Sequence, residues 1–170
     1  MMGTYPLVDL SSIEFCGDIY ESNGVIHMIL EKEISKTNDF LANKSVLGAL
    51  YEINDSTKLF LFTTHVQAIG SQEHKNFQLE QIREFITEAV TKVVESNLVD
   101  QSENLAVVLA GDFNSNAYSP ERFAGFKKHL GYPRDLHMEH NGNKQEFTFK
   151  FRSRPASRRY DYILSYDKID

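Results

Sequence analysis

The apolar and polar positions fall into blocks whose period changes along the chain. "GVIHMILEKEI" (24–34) alternates loosely between the two classes and predicts a strand, and "VLGALYEI" (46–53) predicts a second. "NDST" (54–57) is a compact turn signal, after which "KLFLFTTHV" (58–66) returns as a hairpin partner. Three strands in succession predict an antiparallel sheet edge. Over 77–98 the period lengthens. Ile82, Phe85, Ile86, Ala89, Val90, Val93 and Val94 recur at three- and four-residue steps with Glu, Lys and Arg opposite, which predicts a surface helix packed on a sheet. "LAVVLAGDFN" (105–114) is nearly continuous in aliphatic residues, as a strand covered on both faces requires, and Gly111 ends it. "SPERFAGFKKHLG" (119–131) reads as a helix with Ser119 as cap, Pro120 in the first turn and Gly131 at the stop. "EFTFKF" (146–151) and "YDYILSY" (160–166) predict two more strands around a basic connection. The alternation of strands and helices defines a mixed α/β domain, with no repeat, low-complexity tract or linker.

Composition narrows this picture. The 170 residues fit one domain with a substantial core, and twelve Phe with eight Tyr supply the material for it. A net charge of −6 argues against broad, sequence-independent nucleic-acid binding. The one cysteine, Cys16, excludes an intrachain disulfide and is expected to be a small buried hydrophobe. No apolar run reaches the roughly 18 residues needed to span a bilayer, so the chain is expected to be soluble as it stands.

Four places concentrate polar groups at the ends of these blocks: Thr64-His65-Val66-Gln67, Gly111-Asp112-Phe113-Asn114, Arg159-Tyr160-Asp161-Tyr162, and Asp39 with Lys44 in "DFLANKS". Each has a plain structural reading. His65 can be a satisfied histidine at a strand edge, Asp112-x-Asn114 an Asx-turn, Asp161 a buried acid paired with Arg159, and Lys44 a solvated loop lysine. His74, His129, His137 and His140 have no regular spacing with carboxylates or cysteine and are not read as a metal site. "NKQEFTFKFRSRPASRR" (143–159) carries six basic residues against Glu146, and is either a solvated hairpin tip or a patch for anionic headgroups or phosphates.

Order and spacing favour chemistry. A strand ending in Thr-His, a helix carrying "FQLEQIREFI", a buried strand ending in "GDFN" and a late strand opening "YDYIL" together resemble the endonuclease/exonuclease/phosphatase superfamily, whose fold is that of deoxyribonuclease I. Within it "THVQA" and "DFLANKSVL" are most similar to the neutral sphingomyelinases, and "YPLVDLSSIEF" resembles the strand preceding their lysine loop. Thr63 stands where the superfamily usually has Asn, and Ser45 where the lysine loop has Gly. The resemblance covers nearly all of residues 1–170 as a single partial domain, and implies part of a four-layer α/β/β/α sandwich with mixed, largely antiparallel sheets.

The chemistry the resemblance implies is Mg²⁺-assisted hydrolysis of a phosphodiester: sphingomyelin and water giving ceramide and phosphocholine at a membrane surface. Carried onto matching positions, His65 would donate to the phosphoryl oxygens, Asp112 would orient the attacking water, and Asn114 would hold water and phosphate through its amide. Asp161 would orient a catalytic histidine, and Asp39 and Lys44 would belong to the substrate-side loop. The main magnesium carboxylate and the closing Ser-Asp-His segment have no counterpart here. The chain is therefore read as a fragment, inactive alone and marginally stable because its sheet edges and apolar faces are left open. A sharp, reversible thermal transition in a monodisperse monomer would contradict that stability expectation. The alternatives are another hydrolase of the same fold, a nuclease or phosphoinositide phosphatase, or a non-catalytic binding fragment.

Overall fold

A computed structural model describes residues 5–33, 42–100, 102–142, 144–150 and 157–169. Asp39, Arg152 and Arg154 lie outside the described residues. The elements run β1 (Tyr20–Ser22), β2 (Val25–Ile29), β3 (Ser45–Asn54), β4 (Thr57–His65), α1 (Gln72–Glu95), β5 (Asn104–Asp112), α2 (Pro120–His129), β6 (Arg134–Asp135), α3 (Leu136–Asn141), β7 (Phe149–Lys150), β8 (Ser157–Arg158) and β9 (Asp161–Tyr166). Seven strands form one sheet in the order β1-β2-β3-β4-β5-β9-β6, and β7 and β8 pair separately. Among the described strands only β4 and β5 run parallel, because α1 carries the chain back between them. This is the expected mixed, largely antiparallel α/β architecture, with helix packed on sheet as one pair of the sandwich's layers.

The period-two alternation decides which side chains meet the helices. Val46, Leu50, Phe60, Phe62, Val107, Leu109 and Leu164 point to the α1 face and are buried. From α1, Leu79, Ile82, Phe85, Ile86, Ala89 and Val93 close over them, with Phe85 edge-on to Phe62 at 5.8 Å between ring centroids. The other face is open among the described residues: Ile29, Leu47, Leu61 and Ile163 are exposed. β5 is thus covered on one face, where its aliphatic run predicted two. The run arises because Ala106, Val108 and Ala110 occupy the open side.

Several boundaries differ from the sequence reading. α1 starts at Gln72 because the Ser71 hydroxyl accepts the His74 N–H at 3.1 Å and caps it. Ser119 precedes α2 without a side-chain cap bond, so Pro120 alone sets that start. β2 ends at Ile29, and its upstream partner β1 turns through Asn23 and Gly24, both at positive φ, the conformation of a tight two-residue hairpin. Cys16 is exposed, not buried. Ile13 fills the inward position nearby, while the Glu88 carboxylate hydrogen-bonds the thiol and holds its pKa above the ordinary range.

Arg159 pairs with Asp135 rather than Asp161, and both are nearly fully buried. Its guanidinium also stacks on Tyr162 at 4.4 Å. At the opposite end of the β4–β5 seam, Lys58 donates to both Glu103 oxygens at 2.6 Å, and the Asp100 N–H adds a bond at 2.7 Å. These donors, Lys58 first, hold the Glu103 carboxyl below its usual pKa. A lowered carboxylate pKa contributes stability that is present above the unfolded value of about 4.3 and lost as pH falls through the lower folded value. Glu103→Gln should therefore give a shallower fall in thermal midpoint between about pH 5 and pH 3. A midpoint–pH curve superimposable on that of the unsubstituted chain would refute this.

A candidate phosphate-facing site at the end of the sheet

The three strand-end residues meet on one row. The parallel register of β4 and β5 sets His65 against Asp112, and the antiparallel register of β5 and β9 sets Asp112 against Asp161. By alternation all three lie on the open face, in line with Leu61, Val108 and Ile163 further along. His65 Nε2 stands 3.8 Å from Asp112 Oδ2, beyond direct hydrogen bonding, and more than half of the His65 side chain is exposed. Two carboxylates directly opposite one another repel, and the imidazole beside them is the one basic group in that row.

Gly111 makes this convergence possible. Its φ is +154°, and a Cβ there would stand 2.0 Å from the Thr64 carbonyl oxygen of β4. The two strands can close to this spacing only without a side chain. Beyond it the "GDFN" turn locks to its neighbours. Asp112 Oδ1 accepts the Asn114 N–H at 2.8 Å, and the Asn114 Nδ2 donates to the Val66 carbonyl at 2.9 Å. Val66 N–H in turn donates to Asp112 O at 2.9 Å, and Phe113 N–H to Tyr160 O at 2.9 Å. The Asx-turn reading of Asp112 and Asn114 therefore holds: Asn114, at φ +49°, spends one amide N–H on the scaffold. Asp161 is exposed, and the N–H groups of Tyr160 and Asp161 both donate to the Thr148 hydroxyl at 3.0 and 3.2 Å. Thr148, inside "EFTFKF", thus positions the start of β9.

Lys44 is buried rather than a solvated loop residue. It lines a cleft of about 430 Å³ together with Ala42, Asn43, Ser45, Thr63 and His65. His65 brings its imidazole to that cleft, and Lys44 forms part of its wall. The basic stretch is not a solvated tip throughout: Arg159 is buried, and Arg158 donates to the Tyr160 hydroxyl at 2.6 Å. His129 meets Glu80 at 2.9 Å and His137 meets Asn141 at 3.0 Å, both away from this row.

Among the described residues no group of three or more His, Cys, Asp or Glu side chains is placed to hold a metal ion. Mg²⁺ takes an octahedron of hard oxygens, and Asp112 and Asp161 offer at most two carboxylates toward it. The described residues do not by themselves make a magnesium site.

Sequence inspection places Gln67 only among the polar groups after β4 and misses Gln78; both are fully buried. Gln78 sits four residues before Ile82 in the apolar stripe of α1, and an amide in such a stripe is the signal for a buried hydrogen-bonded group.

No protein-family model matches the sequence, and no curated protein is similar to it. Solved structures are similar in fold. An endonuclease/exonuclease/phosphatase family protein from Bacteroides thetaiotaomicron matches at TM-score 0.54 and 17% identity, over 88% of this chain and 52% of that one. SmcL matches at TM-score 0.54 and 15% identity, over 96% and 51%. Sphingomyelinase C from Streptomyces griseocarneus matches at TM-score 0.52 and 16% identity, over 74% and 43%. The chain has the deoxyribonuclease-I-like fold of the endonuclease/exonuclease/phosphatase proteins. It spans about half the length of these structures.

Proposed function

We propose that His65, Asp112, Asn114 and Asp161 are the phosphate-facing part of a phosphodiester hydrolase of the sphingomyelinase type. The observation that carries this reading is the single row His65–Asp112–Asp161 across three adjacent strands, on the open face of a sheet whose fold hydrolases of phosphoesters share. His65 donates to a phosphoryl oxygen as negative charge builds there. Asp112, already oriented by the Asn114 N–H, accepts a hydrogen bond from the attacking water and aims it along the line of displacement. Asn114 keeps a second amide N–H for that water or the phosphate, and Lys44 belongs to the wall on the substrate side of the cleft. Asp161 orients a histidine that is not among these residues. In this reading Mg²⁺ supplies charge neutralisation when bound, through ligands additional to this set.

The substrate proposed is sphingomyelin or a related phospholipid at a membrane surface, reached peripherally. No helix among the described residues is long and apolar enough to cross a membrane. The test is Mg²⁺-dependent release of phosphocholine from sphingomyelin vesicles, run on residues 1–170 and on any longer product of the same reading frame. Turnover is expected in the longer product and not in the shorter. There His65→Ala and Asp112→Asn should each lower the rate at least about 100-fold without moving the thermal midpoint. Unchanged rates in both variants would sink the assignment. Hydrolysis of DNA or of a phosphoinositide in place of sphingomyelin would move it to another hydrolase of the same fold.

A further inference from the structure

Residues 31–33 follow β2, Asn43 and Lys44 return beside them, and among the described residues no strand pairs with 31–33. Glutamine side chains take the strand's place. Glu31 N–H donates to Gln81 Oε1 at 3.1 Å, and Glu31 C=O accepts from Gln78 Nε2 at 2.6 Å. Glu33 N–H donates to Gln67 Oε1 at 3.2 Å, and Glu33 C=O accepts from Gln67 Nε2 at 3.3 Å. The two buried glutamines also join each other: Gln67 N–H donates to Gln78 Oε1 at 3.0 Å. Gln67 Nε2 reaches a second carbonyl, Ile69 O, at 2.7 Å. The returning stretch is tied to the same segment. Leu30 N–H donates to Lys44 O at 2.9 Å, and Lys32 Nζ donates to Asn43 Oδ1 at 3.0 Å.

A buried primary amide is costly unless its donors and acceptor are matched, and an apolar residue fills such a place at lower risk. Here the matched groups are the backbone of the segment that bears the Lys44 wall. Gln67 lies two residues beyond His65, so one residue links both walls of the cleft. We propose that Gln67 and Gln78 are positioning residues, an amide latch that holds the Lys44 wall at a set distance from His65 and so determines the grip on the substrate's anionic group. This rests on the proposed function for its substrate, though not for its structural core. Neither glutamine touches the reacting atoms; they act through residues 30–33 and Lys44.

The test uses the full chain with Gln78→Met, which conserves volume and removes both amide functions, and Gln67→Ala. Val107→Ala, a core truncation away from the latch, serves as the control for lost stability. Two readouts are taken: amide hydrogen exchange, and a titration with phosphocholine and, separately, inorganic phosphate followed by amide chemical shifts. The latch variants should speed exchange at Leu30 and Glu33 about tenfold while the Leu109 amide keeps its protection. They should weaken anion binding about tenfold, and in an active longer product they should raise KM with kcat nearly unchanged. Val107→Ala should do none of these. Unaltered exchange at Leu30 and Glu33, or an equal loss of anion binding in Val107→Ala, would overturn the latch. If the unsubstituted chain binds neither anion, the proposed function fails and the exchange comparison alone decides the latch.

Discussion

Replacing Arg159 with leucine should cost about 3–5 kcal/mol of folding stability, the range for removing one member of a buried ion pair. Arg159 and Asp135 are 2% and 4% exposed, and the guanidinium meets the carboxylate through two nitrogens, one at 3.3 Å. Its removal leaves the Asp135 charge stranded at the start of α3 and removes the cation from the Tyr162 ring. Against a typical domain stability of about 5–15 kcal/mol this is a large fraction, and at this size it lowers the thermal midpoint by roughly 10 °C. Denaturant unfolding at constant m-value measures it. The loss should shrink in the Asp135→Asn background, which removes the stranded charge while keeping the side-chain oxygen that caps α3 through the Met138 N–H at 3.1 Å. Full additivity of the two substitutions would show that packing on Tyr162, not the ion pair, dominates.

Gly111→Ala should be of similar size and should also dismantle the site. The added methyl meets the Thr64 carbonyl oxygen at 2.0 Å, and that oxygen belongs to a strand held on both sides by β3 and β5. Neither a rotamer change nor a small shift relieves a backbone contact of that kind, and φ +154° is itself unfavourable for alanine. The expected result is a loss of more than about 3 kcal/mol, with β4 and β5 parting at the end that carries His65 and Asp112. Amide exchange should accelerate at Val66 and Phe113, whose N–H groups bond to Asp112 O and Tyr160 O, more than at Leu109 in mid-strand. Retained stability with normal protection at Val66 would mean that Gly111 does not set the strand spacing.

Much of the fold was legible where one physical rule dominates a segment. The 3.6-residue stripe of α1 and the alternation of β4 survive into the structure because each buries a single continuous face. The Asn23-Gly24 turn was equally legible and passed over, and it pairs β1 with β2. Less of the site was legible. Lys44 looked like any loop lysine until Leu30 and the cleft placed it inside. Asp161 had an arginine two residues away, yet Arg159 lies before β9 begins and turns inward to Asp135 beneath Tyr162, while Asp161 opens β9 on the other face, opposite Asp112.

By itself the sequence determined the local periods, the turn residues and the inventory of groups that could meet a phosphate. Each depends on neighbours a few residues apart, and such interactions are written in the order of residues. Only the tertiary structure decided that His65, Asp112 and Asp161 share one row, that Gly111 lets their strands close, and that two buried glutamines hydrogen-bond the backbone of Glu31 and Glu33. Those outcomes depend on register across strands far apart in the chain, where a slip of one residue would have turned every one of these side chains to the other face.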